Sequence, residues 1–278
     1  MRVTLAAVFV ILIALSIGTY YTYRTDKTFE SFVNSFLQKP SDAPVDTVKT
    51  SNLPSQQVKP DKKSYRPKRI KQKIERDKYY KLDSFARNVP KEYEKDIETL
   101  VNYLITPAKS EMEKARVLFT WVATHVHYDD DAFNSGNITA STAEKVLLTK
   151  KAVCDGYSTL LYELCVEAGL EAEKVSGFAK GYGYTKDEEF KEPDHAWNII
   201  KIENQWKLFD STWASGYGMN VNGKMVSVDE FDPYWFDLNP KEFIYTHFPE
   251  DPKWQLLQDT LTMEKFKALP YIPRLILN

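Results

Sequence analysis

The chain has 278 residues, enough for one large domain or two small ones. Its 37 Lys and Arg residues nearly balance 39 Asp and Glu residues, so the formal charge is −2 and no nucleic-acid partner is expected. A composition of 43% hydrophobic and 14% aromatic residues excludes wholesale disorder, and two cysteines exclude both a disulfide-rich scaffold and zinc sites built from three or four cysteines.

The first apolar segment is long enough to cross a membrane. Residues 3–23 contain no charged side chain, and a helix of this length would span about 31 Å. We therefore predict a transmembrane signal-anchor, with the rest of this single-pass protein outside the cytoplasm, because a first apolar segment with almost nothing before it usually leaves its N-terminus inside. The alternative is a signal peptide cleaved at the small residues 16–18, in which case the protein would be secreted.

A polar, basic linker is predicted over residues 24–78, ahead of a folded domain at residues 79–278. Residues 38–64 are rich in Ser, Pro, Asp, Lys and Gln and show no apolar period, which is typical of a flexible tether. Residues 61–78 carry nine Lys and Arg residues against three acidic ones. This stretch would attract an acidic polymer or a lipid surface; the alternative is a soluble linker that runs into a polar helix.

Helical periodicity dominates the first half of the domain. Apolar residues at helical spacing predict a helix over residues 91–105. Two capping boxes, Ser110 with Glu113 and Ser141 with Glu144, predict the starts of two further helices.

The next predicted helix begins close to Cys154 and ends at Gly169, and the spacing of the apolar residues changes after it. Downstream, strands are predicted over residues 174–184, 195–202 and 206–213. Helices first and strands later favour an α+β fold, with helices packed on an antiparallel sheet.

Three residues in these elements fit the chemistry of an activated thiol. Cys154 lies at a predicted helix N-terminus, where free N–H groups and the helix dipole favour a thiolate. A two-residue turn between the last two predicted strands would place His195 opposite Thr212, with Asp210 diagonally beside His195 on the same face. Asp210 could then orient a His195 base whose other nitrogen meets Cys154. Taken singly, the three residues are more typical of a small buried cysteine, a packed or half-exposed histidine and a strand-ending aspartate.

The sequence around these three residues resembles the transglutaminase-like superfamily. The matching motifs are Ala-Val-Cys-Asp-Gly-Tyr-Ser at 152–158, Asp-His-Ala-Trp-Asn at 194–198 and Trp-Lys-Leu-Phe-Asp-Ser-Thr-Trp at 206–213. Residues 121–129 are similar to the helix before the family's core, and residues 240–257 resemble the tail of its kyphoscoliosis-peptidase-like branch.

This resemblance implies a papain-like transglutaminase core and acyl chemistry at amide carbonyls. Cys154 would be the nucleophile, His195 the general base and then acid, and Asp210 the orienting group. The Cys154 N–H would contribute to the oxyanion hole of the family. Where papain-type enzymes have a Gln six residues before the cysteine, this chain has Leu148, and Tyr128 is the candidate substitute.

The function that follows is a membrane-tethered cysteine hydrolase that cuts peptide or isopeptide bonds of a protein or peptide substrate through a thioester. A true transglutaminase, which transfers a glutamine acyl group to an amine, uses the same thioester and remains open. A scaffold or binding module that keeps the fold without turnover is the third alternative.

No cofactor or metal is expected. Gly181-x-Gly183 lacks the third glycine of a dinucleotide fingerprint, and the acidic residues 129–131 are typical of a helix end. Cys165 lies eleven residues after Cys154, too far along one helix for a disulfide, so Cys154 should be free.

Two tryptophans in the motifs have two interpretations. Trp197 and Trp213 could wall the cleft of the site or pack in the core.

Overall fold

The computed structural model describes residues 78–187 and 189–272. The transmembrane segment predicted at residues 3–23 and all but the last residue of the linker predicted at residues 24–78 lie outside these ranges. Within the described ranges, every helix is too short or too polar to span a membrane.

The described helices are short, apart from two. They are α1 (Tyr80–Arg87), α2 (Ile97–Leu104), α3 (Glu111–His125), α4 (Asp130–Ser135), α5 (Ala143–Thr149), α6 (Cys154–Glu167), α7 (Ser211–Ser215), α8 (Pro240–Phe243) and α9 (Met263–Ala268). Single 3-10 turns lie at Lys91–Tyr93, Pro233–Trp235 and Pro252–Gln255.

The strands follow mainly in the second half. They are β1 (His127–Tyr128), β2 (Lys151–Ala152), β3 (Ala172–Ala179), β4 (His195–Ile202), β5 (Gln205–Phe209), β6 (Gly216–Val221), β7 (Lys224–Asp229), β8 (Phe236–Leu238) and β9 (His247–Pro249). A five-stranded antiparallel sheet has the order β8-β5-β4-β3-β9, β6 and β7 form a separate hairpin, and β1 pairs with β2 in parallel.

The core lies between the sheet and the two long helices, α3 and α6. Phe119 of α3 contacts Phe209 of β5 and Phe236 of β8, with ring centroids 6.3 and 5.2 Å apart. All three side chains are buried, so burial of apolar surface holds the helices on the sheet. The predicted α+β class is confirmed.

The predicted start of α3 is confirmed, and that of α5 is shifted by one residue. Ser110 Oγ accepts the N–H of Glu113 at 3.2 Å, as an N-cap does. At α5, the cap is Thr142, whose hydroxyl accepts the N–H of Lys145, and not Ser141.

The helix predicted over residues 91–105 is wrong in its first half. A 3-10 turn at Lys91–Tyr93 ends before Asp96, and the Asp96 carboxylate accepts the N–H of Thr99 at 2.7 Å. Asp96 is therefore the N-cap of α2, and its extended backbone interrupts the helical pattern.

The strand predicted over residues 174–184 ends early, at Ala179. The N–H of Lys180 donates to the carbonyl of Thr246, and a turn follows in which Gly183 has φ +80°. Because the chain turns here, the loop that leads to His195 lies beyond the sheet.

The register predicted for the β4–β5 hairpin is confirmed, but β5 is shorter than predicted. Ile202 pairs with Gln205, and the ladder runs to Asn198 opposite Phe209. It stops there because the next residues turn into α7, so Thr212 is helical and does not pair with His195.

Candidate active site

Cys154 is the first residue of α6. The residue before it, Val153, has extended backbone and no side chain that could cap the helix. The first N–H groups of α6 are therefore free to stabilise negative charge at the Cys154 sulfur. Cys154 is partly exposed and not disulfide-bonded, as predicted.

Cys165 lies on the same helix in a different environment. It is fully buried and likewise free of a disulfide. Burial raises the pKa of the Cys165 thiol, so this residue is an unreactive internal reference for Cys154.

The glycine of the cysteine motif allows α6 to start close to its neighbours. A Cβ atom at Gly156 would lie 2.6 Å from Ala152 Cβ and 3.0 Å from Val146 Cγ2. The adjacent Tyr157 is fully buried, and its hydroxyl donates to the carbonyl of Val126 at the end of α3. These two residues set the position of Cys154 relative to β2 and α3.

The histidine motif holds β4 against α6. The side-chain amide of Asn198 donates to the carbonyl of Ser158 at 2.9 Å, one helical turn after Cys154. Asp194 accepts the N–H of Ala179 at 2.8 Å, which fixes the entry into β4. With both ends held, the ring of His195 lies near the side chain of Cys154, which helps to raise the pKa of His195.

Asp210 completes the arrangement from the end of β5. Its side chain is fully buried, and its Oδ2 accepts the Nε2–H of His195 at 2.8 Å. Its Oδ1 accepts the N–H of Trp213 at 2.9 Å, so the same carboxylate is the N-cap of α7. Since Nε2 of His195 is engaged with Asp210, Nδ1 is the ring nitrogen that is left for Cys154.

The protonation states follow from these contacts. Burial lowers the pKa of His195, but the charge and hydrogen bond of Asp210, together with the Cys154 sulfur, raise it above its usual value. Burial raises the pKa of Asp210, but the charge of His195 and two histidine hydrogen bonds hold it well below its usual range. A protonated His195 beside the ionised carboxylate of Asp210 is the state that these contacts favour.

A second histidine, which the sequence did not indicate, is hydrogen-bonded to Asp210. His247 of β9 is fully buried, and its Nε2–H donates to the same Oδ2 at 3.0 Å. Thr246 and Phe243 surround the rest of its ring, with Thr246 Oγ1 2.8 Å from His247 Nδ1. The sequence offers no local signal for this contact, because 37 residues separate His247 from Asp210.

His195, Asp210 and His247 also lie close enough together to hold a metal ion. However, both Nε2 atoms already donate to Oδ2 of Asp210, so the three groups satisfy one another by hydrogen bonds. This arrangement needs no ion to explain it.

The structure also places the residues that the sequence suggested as oxyanion donors or as walls of the cleft. Leu148 is 71% exposed on α5 and is not a donor. Trp197 is buried in the core, whereas Trp213 is partly exposed with its ring 5.6 Å from that of His195. Burial and the nearby Cys154 raise the pKa of Tyr128, so its hydroxyl keeps its proton beside the thiol.

The acidic residues that follow His127 have structural partners. Asp129 caps α4 by accepting the N–H of Ala132, and Asp131 pairs with Lys151 at 3.1 Å. His127 itself pairs with Asp229 of β7 at 2.7 Å.

Comparison with known proteins agrees with the motifs. The sequence model of the transglutaminase-like superfamily matches residues 98–211, a range that includes Cys154, His195 and Asp210. The kyphoscoliosis peptidases of Mus musculus and Homo sapiens are 34% and 32% identical over 194 and 199 residues, which is 69% and 71% of this chain. Hillarin of Drosophila melanogaster is 28% identical over 205 residues, 69% of this chain and 24% of hillarin.

The chain spans only 29% and 30% of the length of the two peptidases. Residues 98–211 are nonetheless a domain of the transglutaminase-like superfamily, and the chain is a relative of the kyphoscoliosis peptidases.

Proposed function

We propose that this chain is a cysteine hydrolase that cuts peptide or isopeptide amide bonds. The observation that carries the proposal is that Cys154 at the start of α6 lies near His195, whose ring is hydrogen-bonded to the buried carboxylate of Asp210. A nucleophile, a base and a group that orients the base are the requirements of acyl transfer by a thiol.

The reaction would proceed through a thioester. The Cys154 thiolate attacks the amide carbonyl, and protonated His195 donates its proton to the leaving amine as the C–N bond breaks. Water then attacks the thioester while the now neutral His195 accepts its proton, and cleavage of the C–S bond releases the carboxylic acid and regenerates the Cys154 thiolate and protonated His195. Asp210 keeps the His195 ring in the required tautomer and stabilises its protonated form.

Two donors would stabilise the tetrahedral intermediate. The N–H of Cys154 at the start of α6 is one, as in related acyl-transfer sites. Tyr128 is our candidate for the second, because its hydroxyl stays protonated beside the thiol. The position of β1 next to β2 supports this role, since Tyr128 pairs with Ala152 two residues before Cys154.

A polypeptide substrate suits the surroundings of the thiol. The rings of Tyr128, Phe133 and Tyr182 form a row with centroids 5.9 and 6.2 Å apart. Phe133 and Tyr182 are 37% and 42% exposed, so apolar side chains of a substrate have a surface on which to pack.

The test uses the full-length chain with casein, in the presence and absence of a fluorescent primary amine. We expect new N-termini by mass spectrometry in both conditions. Incorporation of the amine without cleavage would instead identify a transglutaminase. Cys154→Ala should abolish activity, and the matched variant Cys165→Ala should keep it. Turnover that persists in Cys154→Ala would contradict the mechanism, and neither product despite a reactive Cys154 would favour a binding module.

We also propose that residues 3–23 anchor the domain to a membrane, outside the cytoplasm. The support is the absence of charge over 21 residues. Alkaline extraction of membranes should leave the full-length chain in the pellet, and protease added to intact cells should digest the domain. Release into the medium with a new N-terminus near residue 18 would indicate a cleaved signal peptide.

A further inference from the structure

We propose that His247 is a positioning residue that holds the Asp210 carboxylate, as an anion, in line with His195. The proposal rests on the proposed function, because it concerns the residue that orients the base. Its basis is that Oδ2 of Asp210 receives two imidazole N–H donors, one from His195 at 2.8 Å and one from His247 at 3.0 Å.

The hydrogen bonds determine the tautomer of His247. An ionised carboxylate only accepts, so Nε2 of His247 must carry a proton to bond Asp210. Burial lowers the pKa of His247 to about 4, so the ring is neutral near pH 7 and its Nδ1 must be an acceptor. The hydroxyl of Thr246 lies 2.8 Å from Nδ1 and 3.3 Å from the carbonyl of Phe243, so its one proton is available to the closer Nδ1, as this tautomer requires.

The pocket around His247 gives the ring one orientation. Phe243 stacks on it with centroids 3.9 Å apart and an interplanar angle of 20°. The rings of Trp197, Trp213 and Trp235 enclose the remaining sides, with centroids 4.4 to 5.5 Å from that of His247. A ring held this closely presents its Nε2–H to Asp210 at low entropic cost.

The charged groups that face His247 are few. Asp210 contacts it from the start of α7, and His195 of β4 lies behind Asp210 with its ring 5.3 Å from that of His247. The faces from α8, β4, α7 and the 3-10 turn at Pro233–Trp235 are aromatic and carry no charge. Lys180 is also close, because its backbone N–H donates to the carbonyl of Thr246. Its side-chain amine, however, donates to the carbonyls of Phe266 and Leu269.

The consequence for the thiol is specific. Asp210 is fully buried, and a buried carboxylate stays ionised only while donors satisfy it. If the His247 donor is lost, Asp210 takes up a proton at a higher pH, and His195 then loses the anion that keeps it protonated. The Cys154–His195 ion pair should therefore disappear at a higher pH than in the wild type.

The experiment measures the alkylation rate of Cys154 by iodoacetamide between pH 4 and 8 in the full-length chain. His247→Phe removes the donor but keeps a flat ring for stacking, and His247→Gln keeps an amide N–H that can reach Asp210. We expect the acidic limb of the His247→Phe profile to lie about one pH unit higher, so that labelling at a pH below both limbs is about tenfold slower. The acidic limb of His247→Gln should stay at the wild-type position.

The outcomes separate this proposal from the proposed function. A reactive wild-type Cys154 together with an unshifted His247→Phe profile overturns the positioning role and leaves the hydrolase intact. A wild-type Cys154 that titrates like a free thiol, near about pH 8.5, removes the hydrolase and the positioning role together. If His247→Phe does not fold, Thr246→Val replaces it. Without the Thr246 hydroxyl, His247 can also adopt the tautomer with its proton on Nδ1, so we expect a smaller shift of the acidic limb in the same direction. An unshifted limb would contradict the proposal.

Discussion

The carboxylate of Asp210 lies 2.8 Å from His195 Nε2 because two independent features of the chain meet at this point. The β4–β5 ladder brings Phe209 opposite Asn198, three residues after His195. The ladder then ends, and Asp210 caps α7 through the N–H of Trp213. The helix cap fixes one carboxylate oxygen, so the other is left to face the histidine.

Asp210→Asn should abolish most activity while keeping the fold. Asparagine caps a helix about as well as aspartate, so α7 should persist. The charge that keeps His195 protonated is lost, and we expect kcat/KM to fall by roughly 100-fold or more. The measurement is turnover of the peptide found in the casein assay, with circular dichroism as the test of folding. The control is Asp237→Asn, which removes the partner of Lys207 outside the site and should leave turnover near wild type.

Tyr128→Phe separates the oxyanion donor from the nucleophile. Removal of one oxyanion donor typically lowers kcat by about 100- to 1000-fold. The alkylation rate of Cys154 should stay within about threefold of wild type, because the hydroxyl acts on the intermediate and not on the thiol. Tyr182→Phe, in the same row of rings, is the matched control. Equal kcat in Tyr128→Phe and the wild type would exclude Tyr128 as the donor.

His247 should make the domain less stable as the pH falls below about 6.5. The unfolded residue takes up a proton near that pH, whereas the folded one does so only near pH 4, so the free energy of unfolding falls by about 1.4 kcal/mol per pH unit between them. His195 has a raised pKa and is protonated in both states over this range, and the pKa of Asp210 acts only at lower pH. Urea unfolding of the wild type and His247→Gln at pH 7 and pH 5 measures the effect.

The advantage of the wild type over His247→Gln should shrink by about 2 kcal/mol from pH 7 to pH 5. Burial also lowers the pKa of His125, but that residue is present in both proteins and cancels in the difference. A difference that is constant with pH would mean that His247 has the same pKa in the folded and the unfolded protein, and would contradict the lowered pKa of the buried ring.

Gly156→Ala should affect the site as well as stability. The added Cβ would overlap Ala152, and relief of such overpacking costs about 1–3 kcal/mol. Because the shift falls at the start of α6, alkylation of Cys154 should also slow. Gly183→Ala is the control: it strains a residue with φ +80° that has nothing within 4 Å of the new Cβ, and it should lower stability without changing Cys154. Equal slowing in both variants would contradict the role given to Gly156.

The positions of Cys154, His195 and Asp210 in their elements could be predicted from the sequence, because each depends on residues close by in the chain. The period of two fixed the hairpin register that joins β4 to β5, and the apolar stripe that ends at Gly169 placed Cys154 at the start of α6. Helix caps explain why the helix predicted over residues 91–105 and the strand predicted over residues 206–213 were too long. Asp96 and Asp210 each cap a helix where the apolar pattern alone suggested that a helix or a strand continued.

The contribution of His247 could not be predicted in the same way. It lies on a three-residue strand that pairs at the sheet edge with β3, about 70 residues earlier in the chain. Such a strand is too short for a period, and its pairing depends on the packed core. The β6–β7 hairpin, which α4 holds through Asn134, was likewise absent from the sequence-based prediction.

The most direct test of the central claim is the pH dependence of alkylation at Cys154 and Cys165, measured by peptide mass spectrometry in the wild type and in His195→Ala. We predict rapid labelling of Cys154 that persists below pH 7 and is lost in His195→Ala, while buried Cys165 stays unlabelled in both. Labelling of Cys154 with the same pH dependence in the two proteins would contradict a Cys154–His195 ion pair and, with it, the proposed mechanism.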